Sequence, residues 1–318
     1  MQRVLTTVTL LGLLVATAAA FAITEHLKLE KSPIFGTKIF SGQPGKPALF
    51  SPVCGQGCAT RTAEVRLRLR RTGHVTVTIA DSDGHRVATI APDVVMQAKI
   101  PRTFRWDGRT DAGALAPDGV YYPWVQLGPH VYKFINKITL DTVPPQVLKA
   151  AAVKPKPVLF AGRGQSVAIR YEFSERAHPV VYLDGRRIIV GRHIRPSARI
   201  KWGGKLEGRP LPAGKYVLSI GALDRAGNET PAGKRMDVPV VLRYVELTPA
   251  LTTVRAGRRF KVHVETAARR YIWRLGQRHG ERRGRTLRLR APTTPGTYRL
   301  VVTANGHATT AVVRVRAK

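Results

Sequence analysis

Cysteine is nearly absent from this 318-residue chain, with two residues, and acidic groups are scarce, with 20 Asp plus Glu against 53 Lys plus Arg. Two cysteines cannot build a disulfide-stapled miniature fold or a four-thiolate zinc site. The nine histidines, at 26, 74, 85, 130, 178, 193, 263, 279 and 307, include no helical His-x-x-x-His metal pair. Neither a Gly-x-Ser-x-Gly elbow nor a Gly-rich phosphate loop occurs, which removes the motifs of serine hydrolases and of P-loop nucleotide enzymes. After residue 25 no segment carries a convincing helical period, and no second long apolar run follows the N-terminal one. The chain therefore reads as non-enzymatic, and neither a cofactor nor a metal is implied by it.

What is present is a repeat. Pro117-Asp118-Gly119-Val120-Tyr121, Pro212-Ala213-Gly214-Lys215-Tyr216 and Pro295-Gly296-Thr297-Tyr298 each end in Gly-x-Tyr and open a strand-like apolar run. Their spacing suits an array of small β-sandwiches. In strand order, Tyr121, Tyr216 and Tyr298 fall where Greek-key sandwiches carry a tyrosine corner, so they are expected to serve the fold.

Alternation supports an all-β class of tandem Ig-like sandwiches. Val65, Leu67 and Leu69 alternate with Arg66, Arg68 and Arg70, and Val75, Val77 and Ile79 alternate with Thr76 and Thr78. Asp83-Gly84 and Asp184-Gly185 supply hairpin turns. Val167–Phe173 and Val180–Leu183 read as two strands. Thr142-Val143-Pro144-Pro145 marks a boundary, because neither proline can join a central strand. The expected organisation is 1–24 as signal peptide or anchor helix, 25–48 as a Pro- and Gly-broken spacer, and sandwiches over 49–142, 143–243 and 244–318. Trp273 of the third occupies the place of an Ig-type core tryptophan.

Phe104-Arg105-Trp106-Asp107-Gly108-Arg109, then Gly113, then the Pro117–Tyr121 segment, resembles the FlgD-type Ig-like domain of flagellar hook-capping proteins. Ile200-Lys201-Trp202 with Gly203 in place of the aspartate is a drifted second copy, and the third segment resembles a generic bacterial Ig-like module. The opening through Phe50-Ser51-Pro52-Val53-Cys54 is similar to exported Ig-repeat proteins of high-GC bacteria. The resemblance implies an Ig-like sandwich. It implies no flagellar role, since no rod-interaction region precedes it and fold likeness carries no function.

The uncharged run from Val4 to Thr24 is long enough to span a bilayer core, and it also contains Ala-x-Ala cleavage patterns. Both an uncleaved anchor and a signal peptide fit, and either puts the rest outside the cytoplasm, membrane-anchored or secreted. The first cysteine lies too far from this run for a lipoprotein, and Arg316-Ala317-Lys318 is no sortase-type tail. In an exported chain Cys54 and Cys58 read first as a disulfide, with free thiols or redox chemistry as rivals.

The net charge is +33. It attracts polyanions, unless it is a compositional bias on a solvated surface. The densest basic stretch holds Arg278, Arg282, Arg283 and Arg285, read either as a polyanion site or as a solvated hairpin tip. Asp107, Asp111 and Asp118 offer oxygen ligands for calcium, but turns need the same residues. Trp106 and Trp202 could stack sugars, but their repeated place before a turn favours the core. These readings point to a cell-surface scaffold, adhesion or envelope-interaction module. The alternatives are an electrostatic binder of anionic cell-wall polymer or extracellular DNA, and an accessory subunit of an envelope enzyme complex. Partners would be wall polymer or envelope proteins, with the membrane reached through an uncleaved N-terminal helix.

Overall fold

Period-two alternation of apolar and polar residues buries one face of each strand, and paired sheets close over those faces. The structure is a computed structural model that describes residues 11–20, 31–42, 45–55, 57–153, 158–161 and 165–317. It divides into two compact units, Met1–Pro52 with Cys58–Asp141, and Val53–Gly57 with Thr142–Lys318. Residues 11–20 are helical, and the rest of the apolar run lies outside the described residues. Among the described residues, no helix is long and apolar enough to cross a membrane.

The first unit holds one sandwich. A sheet ordered Ile34–Ser41, Ala63–Leu69, Arg102–Trp106 belongs with a second sheet in which Gly119–Leu127 lies between Ile138–Leu140 and Gly73–Ala80. Ala63, Val65, Leu67 and Leu69 all face inward and are fully buried, as the alternation predicts. The spacer expected over 25–48 is corrected here. Ile34–Ser41 is a strand paired antiparallel with Ala63–Leu69, and Ala48–Phe50 pairs parallel with Ile138–Leu140. A register shift between Phe35 and Lys38, with Gly36 at positive φ, absorbs the glycine that had argued for a break.

The second unit holds two cores. In its first sandwich, Val167–Leu183 is a single 17-residue strand where the sequence suggested two. Its first part pairs with Val147–Ala152 and Arg195–Trp202, and its last part pairs with Gly214–Leu223. The register shifts between Glu172 and Ala177, so the strand bends from one sheet to the other without a loop. Asp184 and Gly185 both take positive φ at the following hairpin, as a two-residue turn requires.

The third sandwich pairs a sheet ordered Val245–Thr248, Arg259–Thr266, Thr286–Arg290 with a five-stranded sheet, in which Leu251–Arg255 runs parallel to His307–Arg316. Trp273 is 6% exposed in its core. Opposite it stands Gly280, and a Cβ there would lie 3.1 Å from the indole Nε1. Close packing of the ring against backbone explains why glycine sits in the middle of this strand.

Candidate functional site

The repeated motifs go to the fold. Tyr121 Oη donates to the Pro117 carbonyl at 2.5 Å, Tyr216 Oη to the Pro212 carbonyl at 2.8 Å, and Tyr298 Oη to the Thr294 carbonyl at 2.9 Å. Each hydroxyl reaches back four residues, the geometry expected of a tyrosine corner. The tryptophans repeat too. Trp106 Nε1 donates to the Arg109 carbonyl at 2.8 Å and Trp202 Nε1 to the Lys205 carbonyl at 3.1 Å. Each indole meets its tyrosine edge-on, at 4.8 Å for Trp106 with Tyr121 and 6.0 Å for Trp202 with Tyr216. At 1% and 2% exposure, Trp106 and Trp202 are core residues and offer no platform to a sugar.

The aspartates of the first sandwich are largely occupied by turn geometry. Asp107 accepts the Arg109 amide at 3.0 Å, and Asp111 accepts the Thr89 amide at 2.6 Å while lying 3.5 Å from Arg86. Gly108 between them has φ +81°, and a Cβ would approach Pro52 Cγ at 2.9 Å, so the turn needs glycine twice over. Asp118 stands near enough to help raise the Tyr121 phenol, although burial is the larger cause. Asp81, Asp83 and His85 do bring ligand atoms within 4.8 Å of one another. One Asp81 oxygen accepts the amides of Asp83 and His85, and these bonds hold its carboxyl below its ordinary pKa. Both cysteines are disulfide-bonded, and as the chain has only two, Cys54 and Cys58 bridge each other.

The basic stretch is built differently from its sequence. Arg278 and Arg282 belong to the edge strand Arg278–Arg282, paired with Tyr271–Leu275, so they do not form a hairpin tip. Arg278 Nη1 donates to the Arg290 carbonyl at 2.9 Å. Arg283 and Arg285 flank Gly284, at φ +86°, in the connection to Thr286–Arg290. Glu281 within the stretch pairs with Arg270 at 3.1 Å.

A second basic cluster comes from residues far apart in sequence. In the three-stranded sheet of the third sandwich, Arg259 stands opposite Arg290 and Lys261 opposite Arg288. All four are exposed, while Phe260 and Leu289 between them point into the core. These six residues line a shallow concavity of about 600 Å³. Among the described residues, none of the four cations has a carboxylate within 4.0 Å. The polar phase of the two strands was legible in the sequence, as Arg288 and Arg290 alternate with Leu287 and Leu289. Their register against Arg259–Thr266, which makes the cluster, was not.

A surface aromatic also escaped the sequence reading. Trp124 lies on the outer face of the first sandwich with Lys133 Nζ 4.2 Å from its ring centroid. With Asp81, Asp83, Tyr122, Phe134 and Ile135 it lines a concavity of about 480 Å³, and Ile135 is 91% exposed.

Residues 57–127, within the first sandwich, match the model of the FlgD Ig-like domain family. No curated protein sequence matches the chain. The Clostridium thermocellum CbhA fibronectin(III)-like modules align over 64% of this chain and 94% of theirs, at 14% identity and a TM-score of 0.34. The Bacteroides ovatus SGBP-B protein of a mixed-linkage glucan utilization locus, solved with a heptasaccharide, aligns over 80% of this chain and 64% of its own, at 13% identity and a TM-score of 0.24. Extracellular domains 3–5 of Drosophila OTK align over 90% of this chain and 98% of theirs, at 9% identity and a TM-score of 0.21.

Proposed function

We propose that the protein is a non-catalytic, extracytoplasmic scaffold or adhesion module, in which linked Ig-like sandwiches hold contact faces at a set separation. The observation that carries this reading is the joint inside the second unit. A single residue, Tyr244, separates the last strand of one sandwich, Met236–Arg243, from the first of the next, Val245–Thr248. Tyr244 is buried and belongs to both sides. Its hydroxyl donates to the Leu211 carbonyl at 2.7 Å, its ring stacks on His307 with centroids 3.4 Å apart, and its carbonyl accepts Thr266 Oγ1 at 2.7 Å. A connection this short, with its one side chain anchored in both neighbours, suits a stiff arm better than independently moving modules. The bonded cysteines support an oxidising compartment.

The test uses intact cells of the source organism. A membrane-impermeant crosslinker added outside should link this chain to envelope components, with linked peptides on its exposed sheet faces. Recovery of the chain wholly in the cytosolic fraction, unreached by the reagent, would overturn the proposal.

A further inference from the structure

We infer that the outer face of the Val245–Thr248, Arg259–Thr266, Thr286–Arg290 sheet binds a linear polymer of phosphate groups that carries no nucleobases. The site is the four-cation cluster of Arg259, Lys261, Arg288 and Arg290.

Like charges placed directly across an antiparallel pair repel and destabilise it. This sheet does so twice, at Arg259 opposite Arg290 and at Lys261 opposite Arg288. Protection of a sheet edge explains cations on an outermost strand such as Thr286–Arg290. It does not explain Arg259 and Lys261, which stand on the central strand of the three. The carboxylates of the same face, Glu246 and Glu265, stand opposite each other at its far end, with His263 between Lys261 and Glu265. Glu246 is already paired with Arg243. The cations therefore lack an internal counter-charge, and an external polyanion would convert the repulsion into binding.

Strand geometry sets the ligand's form. Neighbouring strands lie about 4.8 Å apart, and successive residues on one face of a strand lie about 6.7 Å apart. The four charges thus form a small rectangle, which suits regularly spaced charges on one extended chain. Three of them are guanidinium forks, which match phosphate oxygens in pairs. Every side chain on this face is polar, since Phe260, Val262, Leu287 and Leu289 all point inward. The face carries no Trp, Tyr or Phe, and His263 is its one ring, so it offers successive bases no row of stacking platforms and binds chiefly through charge.

The inference does not depend on the scaffold reading, because purified protein tests one and intact cells the other. The experiment measures binding of the full chain to dye-labelled inorganic polyphosphate by fluorescence anisotropy across a salt series. Polygalacturonate and a single-stranded DNA serve as competing ligands. Four cationic contacts predict a slope of log K against log salt near about −3. Changing Arg259, Lys261, Arg288 and Arg290 together to Gln should weaken polyphosphate binding at least about tenfold and flatten that slope. A control with equal charge loss, Arg269, Arg282, Arg283 and Arg285 together to Gln, should change binding less than about threefold on the same grounds. A thermal melt of each variant confirms folding, and the face variant should unfold no earlier than the parent, because it removes repulsions. Equal loss in both variants would show diffuse attraction to net charge and overturn the inference. So would polygalacturonate or DNA binding more tightly than polyphosphate.

Discussion

Equivalent sheets of the first and third sandwiches treat charge in opposite ways. In the first, Glu64 stands opposite Arg105 and bonds it at 3.2 Å, and Arg70 lies over the Phe35 ring at 4.9 Å. Lys38 facing Arg66 is the one cation pair set directly across its two ladders. The first sandwich of the second unit is intermediate. Arg170 faces Arg199 there, but Glu172 is next along the face, opposite Lys149. The third sheet has two facing cation pairs and no carboxylate among them. The central strand of each sheet buries its inward residues, so the fold does not require the difference. Interleaved partners favour stability of the sheet itself, whereas unrelieved charge leaves attraction to spend on something outside it.

The largest expected difference lies in the cores. Replacing Trp106 or Trp273 by Ala should cost about 3–5 kcal/mol in either sandwich. Phe substitution should separate them. Trp106→Phe loses the bond to the Arg109 carbonyl and leaves that acceptor unpaired, whereas the buried Trp273 Nε1 has no hydrogen-bond partner among the described residues, so Trp273→Phe forfeits only packing. Denaturant unfolding should therefore show Trp106→Phe to be the more damaging by about 1 kcal/mol or more. Equal losses would mean that the indole bond contributes nothing to the corner.

The tyrosines come next. Tyr121→Phe and Tyr298→Phe each remove one hydroxyl bond, worth about 1 kcal/mol, and should leave polyphosphate binding unchanged. Loss of binding by Tyr298→Phe at full stability would return that residue to the surface chemistry. Burial also raises the Tyr121, Tyr171, Tyr216, Tyr244 and Tyr271 phenols above their ordinary value. For a pKa raised by folding, the unfolded chain gives up its proton first as pH rises. Stability is thus full below about pH 10 and falls as pH climbs through the folded values. Four of these tyrosines are in the second unit against one in the first, so the second should lose more stability in alkali. Unfolding temperatures measured between pH 8 and 11, with tyrosinate absorbance as a probe, would check this, and identical alkaline losses in both units would contradict it.

The sequence disclosed whatever depends on local periodicity. The buried phase of Ala63–Leu69, the Asp184-Gly185 turn and the three tyrosine corners all follow from residues within a few positions of one another. It misjudged elements whose local signals compete with pairing. Gly36 looked like a breaker, but a register shift lets Ile34–Ser41 pair through it. Val167–Phe173 and Val180–Leu183 read as two strands with 174–179 between them, but the strand bends there and continues. The candidate site was the least legible part. Arg278–Arg285 drew attention because its charges are contiguous, whereas Arg259 and Arg290 become neighbours only through antiparallel register. Long-range pairing has no signature in a local window, so cations that face each other across a ladder cannot be read from the chain alone.

The smallest effect is the sharpest probe of the contrast between sheets. Lys261→Glu places a carboxylate opposite Arg288 and gives the third sheet the arrangement that Glu64 and Arg105 have in the first. Cross-strand pairs of opposite charge contribute about 0.2–1 kcal/mol, and like pairs cost a similar amount. The variant should therefore unfold at a slightly higher temperature than the parent while binding polyphosphate more weakly. Glu64→Lys performs the reverse exchange. It should lower the stability of the first unit by a comparable amount, because Arg105 loses its partner and gains a repulsion. Salt separates these effects from packing: in about 1 M NaCl, where charges are screened beyond about 3 Å, both stability changes should shrink toward zero. A Lys261→Glu variant that is less stable at low salt would show that the facing cations do not repel. The third sheet would then hold no unspent charge, and the reason for assigning it a polyanion would be gone.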